Sequence, residues 1–266
     1  MPTSIPVSAP VRASEATGGG NAELGDLPGW NLDDLYSGPD SPDFKSDLAA
    51  ARSRAEAFEA RWKGRIGEAA SASGDDGMGA AIEAYEQLEE LMGKIVSYAG
   101  LAYFANTSDP TIAKFYGDVQ SAITDTSAHL LFFALELNRI DDAVIENSLS
   151  RDPRAGRYAP WIRDLRLDKP YQLEDRVEQL FHEKSMTGRA AWNRLFDETM
   201  TALAFEIDGE KLPLEATLSM LQDPDGANRR KAGQALAATF RDNLRTFTLI
   251  TNTLAKDKEI SDRWRG

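Results

Sequence analysis

Apolar residues recur at alternating steps of four and three along this chain, and proline and glycine cut the runs that carry them. Phe44, Leu48, Ala51, Ala55, Phe58 and Trp62 form the first run. That spacing lays a narrow seam along one face of an α-helix. Ser41-Pro42 supplies its start, serine as N-cap and proline in the first turn, and Gly64 a stop. Residues Gly67 to Gly79 are small and polar and read as a loop. A second helix is expected from about Ala80 to Phe104, with Ile82, Tyr85, Leu88, Met92, Ile95 and Ala99 on one face. Asn106 to Pro110 interrupts it, and Asp109 caps a third helix whose seam runs through Ile112, Phe115, Val119, Ile123, Leu130, Phe133 and Leu137. The short turn between the second and third helices predicts an antiparallel hairpin.

Shorter helices follow at Asp141–Leu149, Ala159–Leu167, Leu173–Lys184 and Arg189–Leu203, the last with Thr187 as its cap. One β signal stands out. Phe205-Glu206-Ile207 alternates, Asp208-Gly209 is a hairpin turn, and Leu212-Pro213-Leu214 returns. A helix over Glu215–Leu221 and a long last helix from Asp225 through Leu254 complete the pattern. The expected class is all-α, a multi-helix array with antiparallel helix hairpins and one small β-hairpin at about 204–214. Residues 1–26 are rich in Pro, Gly, Ser and Ala and read as a disordered tail, with order beginning at Leu27.

Composition narrows the function. There are 43 acidic against 30 basic residues, a net charge of −13, and no cluster of Lys and Arg to grip phosphates, so nucleic acid is not an expected partner. No apolar run approaches the roughly 18–20 residues that span a bilayer, so no membrane partner is expected either. Cysteine is absent, which excludes disulfides and cysteine-based sites and fits a cytoplasmic location.

Candidate chemistry is sparse. His182-Glu183-Lys184-Ser185-Met186 begins like the zinc motif His-Glu-x-x-His, in which residues i and i+4 place two imidazoles on one helix face. The fifth position is Met186, so the pattern is a near-miss and reads as an ordinary helix-surface pair. His129 is the other histidine. It lies at the edge of the third helix's apolar face and reads as a partly buried side chain bonded to a carbonyl or a carboxylate. Asp33-Asp34 and Asp197-Glu198 are adjacent carboxylates that point about 100° apart on a helix, so they do not converge on one atom. No Gly-x-Ser-x-Gly, Walker or Gly-x-Gly-x-x-Gly pattern occurs, and Gly18-Gly19-Gly20 follows no strand. Glu-x-x-His pairs for a dinuclear carboxylate centre are also missing. No catalytic, cofactor-binding or metal residue is therefore expected within this chain.

Two stretches nonetheless resemble a known family. Leu27-Pro28-Gly29-Trp30-Asn31-Leu32-Asp33-Asp34-Leu35-Tyr36 and, more specifically, Glu183 through Glu198 (EKSMTGRAAWNRLFDE) are similar to the N-terminal part of oligoendopeptidase F-type zinc metallopeptidases of the thimet oligopeptidase (M3) family. The 205–214 hairpin, Arg229-Arg230, Lys256-Asp257-Lys258 and Arg265-Gly266 follow the same pattern. The resemblance implies a helical domain over 27–203 and, over 204–266, the beginning of the catalytic region, cut before the zinc motif. It implies a Zn2+ held by residues beyond Gly266, short unstructured peptides as substrates, and a C-terminal half of the same protein as partner. This part would form one wall of the substrate channel and be inactive alone. The competing expectation is a non-catalytic helical interaction module.

Overall fold

The computed structural model of the protein describes residues 31–107 and 109–266. Its helices are α1 (Pro42–Trp62), α2 (Ile66–Ala69), α3 (Met78–Ala105), α4 (Pro110–Ala128), α5 (Leu131–Arg139), α6 (Asp142–Arg151), α7 (Pro153–Gly156) and α8 (Ala159–Leu165). A 3-10 stretch, Arg166–Tyr171, leads to α9 (Asp175–Lys184) and α10 (Arg189–Ala202). Strands β1 (Phe205–Ile207) and β2 (Glu210–Leu212) precede α11 (Leu214–Ser219), α12 (Gly226–Asp242) and α13 (Leu244–Arg265). The all-α class with one hairpin is borne out. The expected tail over 1–26, its glycine triplet and the ordered start at Leu27 lie outside the described residues.

Local chemistry sets several boundaries where the sequence placed them. Ser41 Oγ accepts the Phe44 N–H at 3.3 Å, Asp109 accepts from Thr111 and Ile112, and Asp225 accepts from Ala227 at 2.8 Å. Each satisfies an N–H that the first helical turn leaves without a partner. The hairpin pairs Phe205 with Leu212 and Ile207 with Glu210. Its turn residues Asp208 and Gly209 both have positive φ, 54° and 88°, as a two-residue turn matching the strand twist requires.

The stretch expected as a loop over Gly67 to Gly79 instead carries most of α2, a 3-10 turn at Gly74–Asp76 and the start of α3, with Ala69, Ala70 and Met78 buried. Three further boundaries differ from expectation. The third helix does not run unbroken to Leu137: it ends at Ala128, and α5 restarts at Leu131. The apolar seam continues across this break, which is why spacing hides it. Thr126 and Ser127 turn their hydroxyls back onto the carbonyls of Ala122 and Thr124, and the His129 and Leu130 N–H groups tighten onto the carbonyls three residues earlier. Such bonds compete with the helical ladder and bend it. The last helix also divides, at Asn243, whose side-chain amide donates to the Thr239 carbonyl at 2.9 Å and closes α12. Thr187 does not cap α10. Gly188 holds that position without a side-chain bond, and Thr187 Oγ1 instead donates to the Lys184 carbonyl.

The main core joins α1, α3, α4 and α5, with α6 to α8 closing one side. Phe44, Phe58 and Trp62 are buried, and Leu48 packs half-buried beside them. Phe58 meets Phe133 edge-on at 5.2 Å, and Tyr85 stacks on Phe133 at 4.8 Å. The segment before α1 is pinned by Tyr36, whose hydroxyl donates to Asp47 at 2.8 Å while Lys94 reaches the same carboxylate from α3. Gly79 allows α3 to start against α7, because a β-carbon there would sit 2.7 Å from Ala155 N and 2.8 Å from Asp152 Oδ2. Beyond Tyr171 a smaller core forms around Phe205, Ala232, Leu236 and Ile250, with Phe240 edge-on to Phe205 at 5.7 Å. Helix α13 runs along α10, where Phe196 meets Phe247 at 5.9 Å.

Candidate functional site

The two histidines are held apart in separate settings. His129, at the α4–α5 break, places Nδ1 2.5 Å from Glu59 Oε2 on α1. Glu59 also accepts from Lys63 at 2.6 Å. Burial pushes the Glu59 carboxyl up, but the His129 and Lys63 bonds outweigh it and hold the group below its ordinary range. This is the carboxylate-bonded, partly buried histidine that the sequence suggested.

His182 crosses from α9 to α4. Its Nε2 lies 2.9 Å from Ser127 Oγ and 3.3 Å from the Thr124 carbonyl. A serine beside an imidazole invites a nucleophilic reading. The carbonyl decides against it: it can only accept, so Nε2 carries the proton and cannot take one from Ser127. The Ser127 hydroxyl itself donates to Thr124 O at 3.1 Å. The pair therefore ties α9 to α4. Sequence reasoning missed it, because 55 residues separate the partners.

Next to His182 a cleft of about 490 Å³ opens between α9, the start of α10 and α13. Leu131, Leu180 and Phe181 give it an apolar side, and Lys184, Arg189 and Asp257 bring charges of both signs. It also holds the pair Arg265–Glu178, bonded through two parallel contacts of 2.7 Å. Glu178 also accepts the Leu173 N–H at 2.9 Å. Burial raises the Glu178 pKa, yet the Arg265 bonds and the Leu173 N–H more than offset this and hold the carboxyl below its usual value. Arg265 in turn lies over the Phe181 ring at 5.7 Å. The cleft offers surfaces for binding, and no nucleophile and base that face one another.

The remaining sequence candidates do not converge. Asp33 and Asp34 are exposed in the turn before α1, and Glu198 pairs with Arg194 on its own helix while Asp197 turns elsewhere. Glu183 accepts from Gln179, and Met186 is half-buried. Among the described residues no group of three or more His, Cys, Asp or Glu side chains could hold a metal ion. The donor set present here does not fit a catalytic zinc, since both histidines are committed to separate partners.

Residues 136–205, the stretch from α5 to the first residue of β1, match the N-terminal family of the M3 peptidases, described as oligopeptidase F. No curated protein matches the sequence. In fold, the chain is similar to oligoendopeptidase-F from Enterococcus faecium, with a TM-score of 0.72 at 19% identity, covering 84% of this chain and 44% of that one. A candidate peptidase from Chlamydophila abortus aligns at 13% identity over 89% of this chain and 40% of its own, with a TM-score of 0.49 that carries no argument. The chain thus spans less than half the length of the solved structures it matches. The resemblance read from the sequence is borne out: residues 136–205 match the N-terminal family of the M3 peptidases, and the fold is similar to that of an oligoendopeptidase F.

Proposed function

We propose that this chain forms one wall of the substrate channel of a zinc-dependent oligoendopeptidase, an enzyme that cuts internal bonds of short, unstructured peptides in the cytoplasm. The observation that carries the proposal is the family match over residues 136–205, which falls on the helices linking the main core to the smaller one. The described residues supply no donor set for zinc. In this reading hydrolysis belongs to another part of such an enzyme, and the role of this chain is to bind, confine and orient. A channel wall limits access by size, so a flexible peptide enters where a folded protein does not.

A physical feature supports an incomplete surface. Leu195, Phe196, Leu218, Leu244 and Leu249 are exposed on α10 to α13, and Leu221 in the turn after α11. Large apolar side chains left in water are the material of a contact face. In this reading the C-terminal half of the same protein covers it.

The test is co-expression of residues 1–266 with the sequence that follows in the same reading frame, assayed on a short quenched fluorescent peptide. Cleavage is expected only when both parts are present. Undiminished cleavage by the following sequence alone would show that this chain is an accessory module. A reading frame without His-Glu-x-x-His after Gly266 would favour the interaction-module reading.

A further inference from the structure

Away from the α9–α13 cleft, a concavity of about 410 Å³ lies where the end of α3 meets α10 and α11. Phe104, Asn106, Asp197, Met200, Thr201 and Glu215 line it. Its chemistry has one sign. Asp197 is half-buried and Glu215 exposed, and neither carboxylate forms an ion pair among the described residues, since Arg194 goes to Glu198. Each is therefore left to attract a cation from solution. The 28-residue helix α3 ends at the same place, so the negative end of its dipole adds to the field. The Phe104 ring is 60% exposed, although it stands in a helix whose opposite face is buried. Aromatic faces attract cations, and Met200 adds an apolar wall beside it. Next in the chain, the Tyr103 hydroxyl is fully enclosed and has no hydrogen-bond partner. Burial first, and then the charges of Glu198 and Asp197, push its pKa up, while Arg194 acts the other way.

We propose that this cavity is a subsite for the side chain of a lysine or arginine in a peptide ligand. A long basic side chain suits every wall: its methylenes meet Phe104 and Met200, and its charged head meets Asp197 and Glu215. A bare divalent cation suits them less, because two carboxylates flanked by apolar groups fall short of the six to eight oxygens that calcium takes. The proposal rests on the reading that this chain handles peptides, and it names a class among them.

The experiment titrates the 266-residue chain with acetyl-Gly-Gly-Arg-Gly-Gly-amide and with the same peptide carrying citrulline, the neutral isostere of arginine. Backbone amide resonances of residues 104–107 and 197–201 are followed by NMR. The arginine peptide is expected to shift these resonances and to bind at least about tenfold more tightly than the citrulline peptide, a gap of about 1.4 kcal/mol. Asp197→Asn and Glu215→Gln should each shrink that gap, while Glu206→Gln, which removes an exposed carboxylate on β1, should not. Equal binding of the two peptides, or an equal loss in all three variants, would overturn the subsite and leave only the general attraction of an acidic protein. Because binding to the isolated chain is read, the result is independent of the co-expression assay. An intact hydrolytic activity with no preference for basic residues would sink the subsite alone. A preference for arginine in a chain that cleavage does not need would sink the channel-wall reading alone.

Discussion

Residues 31–165 enclose their apolar side chains, whereas residues 166–266 leave many of theirs in water. In the first region Ala51, Ile66, Met78, Ile95, Phe133 and Leu137 are all fully buried. In the second, only a few residues such as Phe205 and Ala232 reach that state. Of the large apolar side chains left exposed, all but Val96 and Phe104 lie beyond Leu165. The helices are formed equally well in both, so the difference is one of cover. An amphipathic helix gains most of its stability from what its apolar face packs against, and on α10 to α13 Leu195, Phe196, Leu218, Leu244 and Leu249 stay exposed. The first region thus buries its own apolar surface, and the second leaves open the face that the proposed channel-wall role would cover.

The largest effect should come from opening the enclosed core. Trp62→Ala should cost about 3–5 kcal/mol, because the ring is 5% exposed and its loss leaves a cavity. Urea denaturation measures this, and an unchanged midpoint would break the comparison at its stronger end. Next in size is the anchor that holds the end of α13 to α9. Arg265→Met should cost about 1–3 kcal/mol, since it leaves the Glu178 carboxylate enclosed with only the Leu173 N–H. The same pair gives a smaller, pH-dependent effect. The folded Glu178 carboxyl sits below its ordinary value. Its stabilisation is therefore complete above the unfolded carboxylate pKa and is lost as pH falls through the folded one. Acid titration followed by NMR should release the end of α13 before the α1–α3 core loosens, and Glu178→Gln should remove that early step. The smallest effect belongs to the open face. Leu249→Ser should change stability by no more than about 0.5 kcal/mol while reducing self-association in sedimentation. A cost matching that of Trp62→Ala would show that α13 is already covered.

What could be read from the sequence was local. Ser41, Asp109 and Asp225 announced their helices because a cap acts within three residues. Asp208-Gly209 announced the hairpin because its turn needs two positive φ angles. The break at His129-Leu130 stayed hidden, since the seam through Leu130, Phe133 and Leu137 keeps its helical spacing across it. The Ser127–His182 bond, the Arg265–Glu178 anchor and the meeting of Phe104 with Asp197 and Glu215 join residues far apart in the chain. No spacing encodes such meetings. The near-miss at His182 shows the converse. A pattern that looked chemical is structural here, because Nε2 is spent on a carbonyl and a hydroxyl of α4.

Hydrogen–deuterium exchange, measured on this chain alone and again with the following sequence of its reading frame, tests the unequal completion of the two regions most directly. Exchange protection reports the free energy of local opening. Amides of α12 and α13 should exchange much faster than those of α1 and α3 in the chain alone, and should gain protection when the following sequence is added, while α1 and α3 stay as they were. Equal protection of both regions in the isolated chain, or no gain in α12 and α13 on addition, would contradict the account.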